Sequence, residues 1–278
     1  MSFRTLQAVV FDWAGTVIDF GSQAPMGAFV ELFARHQVAI SIAEARGPMG
    51  LPKWHHIQAL GQQPRIAAAW QEAHGRAFSD TDVDALYEEF TPMNAESVKQ
   101  HATLIAGAAD MVARLRAAGL KIGSTTGYNR PIMDTVVPLA AAQGFAPDNL
   151  VCAGDLPESR PSAAGMLHTL QVLGGIAPQH AVKVDDTLPG LLEGRNAGAW
   201  TVAVLASGNA AGLTEAQWQN MSDAERGTVR QRVTLGLPCV CSTMLLGRFI
   251  QSTMSGRSMV CQALSGSGLA SSPTTTAR

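Results

Sequence analysis

The chain has 278 residues, 46% hydrophobic and 15% charged, enough apolar material for one full core and a second small one, and this composition excludes a disordered or collagen-like chain. Lys+Arg 20 against Asp+Glu 22 gives a formal net charge of -2 with no basic tract, so no nucleic-acid partner is expected and any phosphate chemistry must be local. The run Ala8-Val9-Val10-Phe11 stops at Asp12, too short for a membrane span or signal segment; a soluble cytoplasmic protein with no membrane partner is expected. Cys152, Cys239, Cys241 and Cys261 lack zinc spacing, which makes reduced thiols the expectation.

Gln7 to Phe11 reads as a buried parallel strand that delivers Asp12 to its C-terminal edge, followed by the turn Trp13-Ala-Gly-Thr16. The next strand-like run, Leu120 to Ser124, comes roughly 110 residues later, far beyond an ordinary crossover. The interval reads as helical: Met26 to His36, a helix opened by the Ser41-x-x-Glu44 capping box, Trp54 to Leu60, Arg65 to Phe78, and one after Ser79. Hinges are expected near Phe20 to Pro25 and Lys99 to Gly107. A helix from Ala108 to Ala118 closes at Gly119, and further strands are predicted at Asn149 to Cys152, Ala181 to Val184 and Trp200 to Leu205.

The pattern predicts the α/β class: a doubly wound parallel sheet over 1–20 and 101–234, with an inserted α-helical cap over 21–100. In such a sheet the site lies outside the carboxyl ends of the strands. Residues 235–278 differ in kind. No Asp or Glu follows Glu225, three of the four cysteines lie here, and the composition turns to Ser, Thr, Gly and Met, as a disordered tail or a shifted reading frame would produce.

Four features are expected at the strand ends. Asp12, before Gly15 and Thr16, stands where a nucleophile can meet a phosphoryl group held by backbone N–H donors. Ser124-Thr-Thr-Gly127 offers hydroxyl donors, Arg160 before Pro161 a fixed cation, and Asp185-Asp186 two acids for a metal. Each feature alone also fits an ordinary turn cap, strand end or surface charge.

Together these strings resemble the four motifs of the haloacid dehalogenase superfamily. Val10-Phe-Asp-Trp-Ala-Gly-Thr16, Glu44-Ala-Arg-x-Pro-Met-Gly-Leu51 with Lys53, Lys121-Ile-Gly-Ser-Thr-Thr-Gly-Tyr128 and Glu193-Gly-Arg-Asn-Ala-Gly198 are similar to its phosphonatase branch, over roughly residues 5 to 234. The resemblance implies a Rossmann-like core, a homodimer, and cleavage of a small-molecule phosphonate, phosphonoacetaldehyde, to acetaldehyde and phosphate. Mg²⁺ is the implied cofactor, held by Asp12, the Ala14 carbonyl and Asp186.

Ala14 separates this chemistry from that of the superfamily's phosphatases, which usually carry a second Asp there to protonate the leaving oxygen. Lys53 offers another route, because an amine condensed with the aldehyde turns a carbon leaving group into an enamine. His56, three residues on, is implied as the proton shuttle, although His55 beside it leaves the choice open. Met49, Thr126, Gly127, Tyr128 and Arg160 complete the expected substrate site. Gly190 stands where many superfamily members carry a further acid, leaving Asp185 to offset it; Ser22, in the hinge, carries little weight. A phosphate-ester hydrolase and a catalytically silent relative with a damaged C-terminus are the alternatives.

Overall fold

The computed structural model describes residues 6–237. Its short apolar runs form a five-stranded parallel sheet of β1 (Ala8–Phe11), β2 (Lys121–Asn129), β3 (Asn149–Ala153), β4 (Ala181–Asp185) and β5 (Trp200–Ala203), ordered β3-β2-β1-β4-β5. Between β1 and β2 lie α1 (Gln23–Arg35), α2 (Ile42–Arg46), α3 (Lys53–Gly61), α4 (Pro64–His74) and α5 (Asp80–His101). Then come α6 (Ala108–Ala117), α7 (Arg130–Ala141), α8 (Ala164–Val172), α9 (Leu188–Asn196), α10 (Glu215–Asn220) and α11 (Asp223–Gly236). This is the predicted α/β class, a doubly wound parallel sheet.

Central β1 is buried along its whole length, as a strand covered on both faces must be, and its order reversal between β2 and β4 opens a crevice at the strand ends. Register fixes what meets there. Phe11 pairs with Ser124 on one side and Val184 on the other, and Asp12 N–H donates to the Val184 carbonyl at 2.9 Å, so Asp12 emerges beside Asp185. Beneath, Trp13 packs edge-on to Phe145 at 5.0 Å and its Nε1–H donates to Ser124 Oγ. Among the inserted helices, Phe29 is stacked between His56 at 4.0 Å and Phe90 at 4.3 Å.

Several boundaries differ from the sequence reading, for local reasons. α1 begins at Gln23, inside the expected hinge, because the Asp19 carboxylate accepts from Gln23 N–H at 2.8 Å and Ala24 N–H at 3.0 Å. α5 runs through Pro92 to His101, past the 100/101 boundary. β2 continues through the hydroxyl-rich string to Asn129. α11 extends to Gly236, and its Val229 and Val233, with Leu237 at the C-cap, pack with Leu191 and Leu205, so ordered packing passes 234. From 238 on, the expectation of an atypical tail lies outside the described residues. Among the described residues no helix is long and apolar enough to cross a membrane.

Candidate active site

One cavity opens at the carboxyl edge of the sheet, lined by Asp12, Ala14, Met49, Gly50, Lys53, Thr126, Gly127, Tyr128, Arg160 and Thr187. Every residue predicted to bind substrate is in that lining, together with the nucleophile candidate and the amine. Asp186 and His56 are not.

On the sheet side, Arg160 is the hub. Its Nη1–H donates to Asp12 Oδ1 at 2.8 Å, its Nε–H to Glu193 Oε2 at 3.1 Å and its Nη2–H to the Thr125 carbonyl at 2.6 Å, and Asp185 Oδ2 lies 3.4 Å away. Lys183, wholly buried in β4, reaches Asp185 and Glu193 at 3.3 Å each and donates to Thr125 Oγ1 at 2.5 Å. Sequence reasoning missed this inner network of Lys183, Glu193 and Thr125. Within the string 124–127, Ser124 turns to Trp13 and Thr125 to the buried charges, while Thr126, the hydroxyl expected at the substrate site, lines the cavity. Strand alternation sends Thr125 to the face opposite Ser124 and Thr126.

The carboxylates of Asp12, Asp185 and Asp186 offer oxygens within 4.8 Å of one another, all buried. Crowding has electrostatic consequences. Burial, then the Asp185 charge, pushes the Asp12 carboxyl up to about 6 against the opposing pull of Arg160 and Lys183. Asp186 is pushed well above the usual carboxylate range by burial, then by Asp12 and Asp185. Asp12, Asp185 and Glu193 face Arg160 and Lys183, whereas Asp186 crowds Asp12 and Asp185 with neither cation in contact, a repulsion that a bound metal ion would relieve. An all-oxygen donor set suits a hard metal ion.

Asp186 is further held by Thr16 Oγ1 at 3.3 Å, Ser22 Oγ at 3.5 Å and Asn209 N–H at 2.6 Å. Ser22, given little weight from sequence, therefore touches this acid. Asn209 is in turn gripped from α2: Arg46 Nη1–H donates to Asn209 Oδ1 at 3.0 Å and to the Gly21 carbonyl at 2.7 Å. No local sequence signal marks this clamp across 163 positions. Asp185 fills the space beside Gly190, where a Cβ would collide with its carboxylate, and its Oδ1 accepts from Thr187 N–H and Oγ1–H. The acid at 185 and the glycine at 190 are thus sterically matched.

From the inserted helices comes Lys53, the first residue of α3, only 3% exposed. The turn that delivers it requires Gly50: φ is +94°, and a Cβ there would lie 2.7 Å from Thr187 Cβ. Lys53 Nζ meets Met49 Sδ at 3.7 Å and sits 5.6 Å and 5.1 Å from the Phe29 and Tyr128 ring centroids. Burial lowers the amine to about 8; Arg160 adds to that, while Asp12 and Asp186 oppose it. His56 lies one turn on, behind Lys53. Its Nε2 is 2.8 Å from the Ala45 carbonyl, its Nδ1 has no hydrogen-bond partner among the described residues, and burial followed by the Lys53 charge holds the imidazole neutral, well below its ordinary value.

A buried carboxylate paired with a fixed guanidinium, and a carboxylate triad at the switch point of a parallel sheet, suit a hydrolase that handles phosphoryl groups. The chain belongs to the haloacid dehalogenase-like hydrolases, whose family model matches residues 6–198. It is 49% identical over 230 residues, 83% of this chain and 84% of the other, to a phosphonoacetaldehyde hydrolase of Pseudomonas fluorescens (strain SBW25). To the phosphonoacetaldehyde hydrolase of Paraburkholderia phytofirmans it is 51% identical over 212 residues, 76% and 79% of the two chains. A crystal structure of a phosphonoacetaldehyde hydrolase-like protein from Oleispira antarctica superposes with a TM-score of 0.85 at 35% identity, covering 92% of this chain and 97% of that one.

Proposed function

We infer that this protein hydrolyses the carbon–phosphorus bond of phosphonoacetaldehyde, releasing acetaldehyde and phosphate. One observation carries the reading: a buried amine without an ion pair among the described residues, Lys53, shares a cavity with Asp12, while Ala14 stands where an acid would serve an ester's leaving oxygen.

Lys53 Nζ, neutral in an appreciable fraction because it is buried, adds to the aldehyde carbon; loss of water leaves an iminium on Lys53. His56 Nδ1, free to accept while Nε2 donates to the Ala45 carbonyl, takes up a proton during these transfers from behind the amine. Asp12 attacks phosphorus in line. As the Asp12–phosphorus bond forms, the electrons of the carbon–phosphorus bond move into the iminium and give an enamine. Arg160 and Thr126 steady the phosphoryl oxygens. Protonation of the enamine carbon and hydrolysis at Lys53 release acetaldehyde, and water cleaves the aspartyl phosphate. Asp12, Asp186 and the Ala14 carbonyl are the proposed holders of Mg²⁺, with Asp185 beside them. The ion supplies charge neutralisation at the phosphoryl oxygens.

The test is acetaldehyde release from phosphonoacetaldehyde with Mg²⁺, read through coupled alcohol dehydrogenase. Release that stops on chelation and in Lys53→Ala supports the reading. Faster turnover of simple phosphomonoesters than of the phosphonate, or Lys53→Arg with substantial activity, would overturn it.

A further inference from the structure

Behind the amine stands a second set of polar groups that this chemistry leaves idle. The Tyr128 hydroxyl is buried in the cavity wall and completes no hydrogen bond of ordinary geometry. Asn94, wholly buried on α5, leaves both its amide nitrogen and its amide oxygen in the same condition. Burying an amide and a phenol is costly unless they satisfy one another or a ligand, and the two lie close enough for the Asn94 amide to act on the Tyr128 hydroxyl.

The two groups are neighbours. α5 is tied to this end of β2 by Asn129 Nδ2, which donates to Tyr87 Oη at 2.7 Å and Thr91 Oγ1 at 3.1 Å. Residues 87, 91 and 94 lie on one helical face, so the same contact brings Asn94 to Tyr128. The Asn94 amide there pulls the phenol's pKa down, while burial, Asp19 and Asp12 push it up; the net direction is well above the ordinary value, so Tyr128 keeps its proton. Its ring centroid is 5.1 Å from Lys53 Nζ.

We propose that Asn94 is a positioning residue for imine formation: its Nδ2–H donates to Tyr128 Oη, so that the phenolic O–H turns into the cavity and donates to the substrate's aldehyde oxygen as Lys53 attacks. The inference rests on the Schiff-base reading above. As the bond from nitrogen to carbon forms, the carbonyl π pair moves onto the oxygen that Tyr128 steadies. That oxygen leaves as water with the two protons shed by nitrogen, so a protonated amine and an aldehyde give an iminium and water, and Tyr128 ends the step with its own proton. Asn94 touches no reacting atom; it sets which way the phenol donates.

The experiment measures the rate at which borohydride traps acetaldehyde on Lys53, as the ethyl adduct on the intact protein, alongside kcat and KM for phosphonoacetaldehyde. Asn94→Leu is expected to slow trapping about 10-fold, the order of one lost oriented donor, and to lower kcat more than it raises KM. Asn94→Asp, isosteric but accepting where the amide donates, should be slowed at least as much, and it serves if the leucine variant fails to fold. In a Tyr128→Phe background either change should cost nothing further. Parental trapping rates in a folded Asn94 variant, or a penalty that persists in full without the phenol, would overturn the proposal. If the parent protein itself gives no adduct, the Schiff-base reading fails and takes this inference with it.

Discussion

Lys53→Met is expected to abolish turnover and to make the protein more stable. Methionine is about as long as lysine and suits a pocket formed by Met49, Phe29 and Tyr128. Burial lowers the amine from 10.5 to about 8, which at about 1.4 kcal/mol per unit means that holding the ammonium costs the fold about 3 kcal/mol. Loss of its contacts with the two rings returns about 1 kcal/mol, leaving a net gain of about 2 kcal/mol at pH 7. In a domain of this size that raises Tm by roughly 4–8 °C. The gain depends on pH with a definite sign. Below pH 8 the amine is protonated both folded and unfolded, and the parent bears the whole cost. Between pH 8 and 10.5 the unfolded chain binds more protons than the folded one, so the parent's stability climbs with pH and the difference closes. Urea melts of the two proteins in chelator, from pH 7 to about pH 10, provide the assay. A methionine variant no more stable than the parent at pH 7, or a difference that does not shrink as pH rises, would refute the reasoning.

Arg160→Lys keeps the charge but cannot span Asp12, Glu193 and the Thr125 carbonyl at once; leaving buried carboxylates uncompensated should cost about 3–5 kcal/mol in urea melts, along with turnover. Gly50→Ala should leave the sheet intact yet lower kcat at least about 10-fold, because a methyl at φ +94° against Thr187 shifts the turn that aims Lys53; steady-state kinetics beside a parental circular dichroism spectrum would check it. Asp82→Asn should cost about 1 kcal/mol near neutral pH, since the carboxylate caps α5 through Ser79 and pairs with Arg76 at 2.5 Å. The Arg76 bond holds this carboxyl well below its usual range, so its stabilisation is present above about pH 4 and lost as pH falls further; the two proteins' melting curves should converge in acid.

The strand ends were legible because each carries its chemistry at the close of an apolar run, and parallel register then brings them together. The placing of Asp12 and Asp186 at strand ends was legible in this way, while the parts expected of them rest on the resemblance. Lys53 was legible only through the string that precedes it, since an isolated lysine at a helix start usually faces water. What stayed hidden depends on pairing across the fold. Lys183 interrupts the run Ala181-Val-Lys-Val184 and looks like a solvated position, yet β4 lies inside the sheet and the lysine is satisfied by Asp185, Glu193 and Thr125. Glu193 was noticed only as part of a motif, because nothing local says that its partner is an arginine 33 residues away. The β2 extension to Asn129 was lost because glycine and hydroxyl residues mimic a loop, and α5 was hard to bound because Pro92 lies within it.

The two halves of the cavity come from different parts of the chain. Asp12, Thr126 and Arg160 stand on strand ends or the loops between them, whereas Met49 and Lys53 belong to the helical stretch inserted between β1 and β2. Such a layout makes the scaffold modular over evolutionary time: a new leaving group calls for rewriting one peptide segment, while the phosphoryl machinery is inherited unchanged.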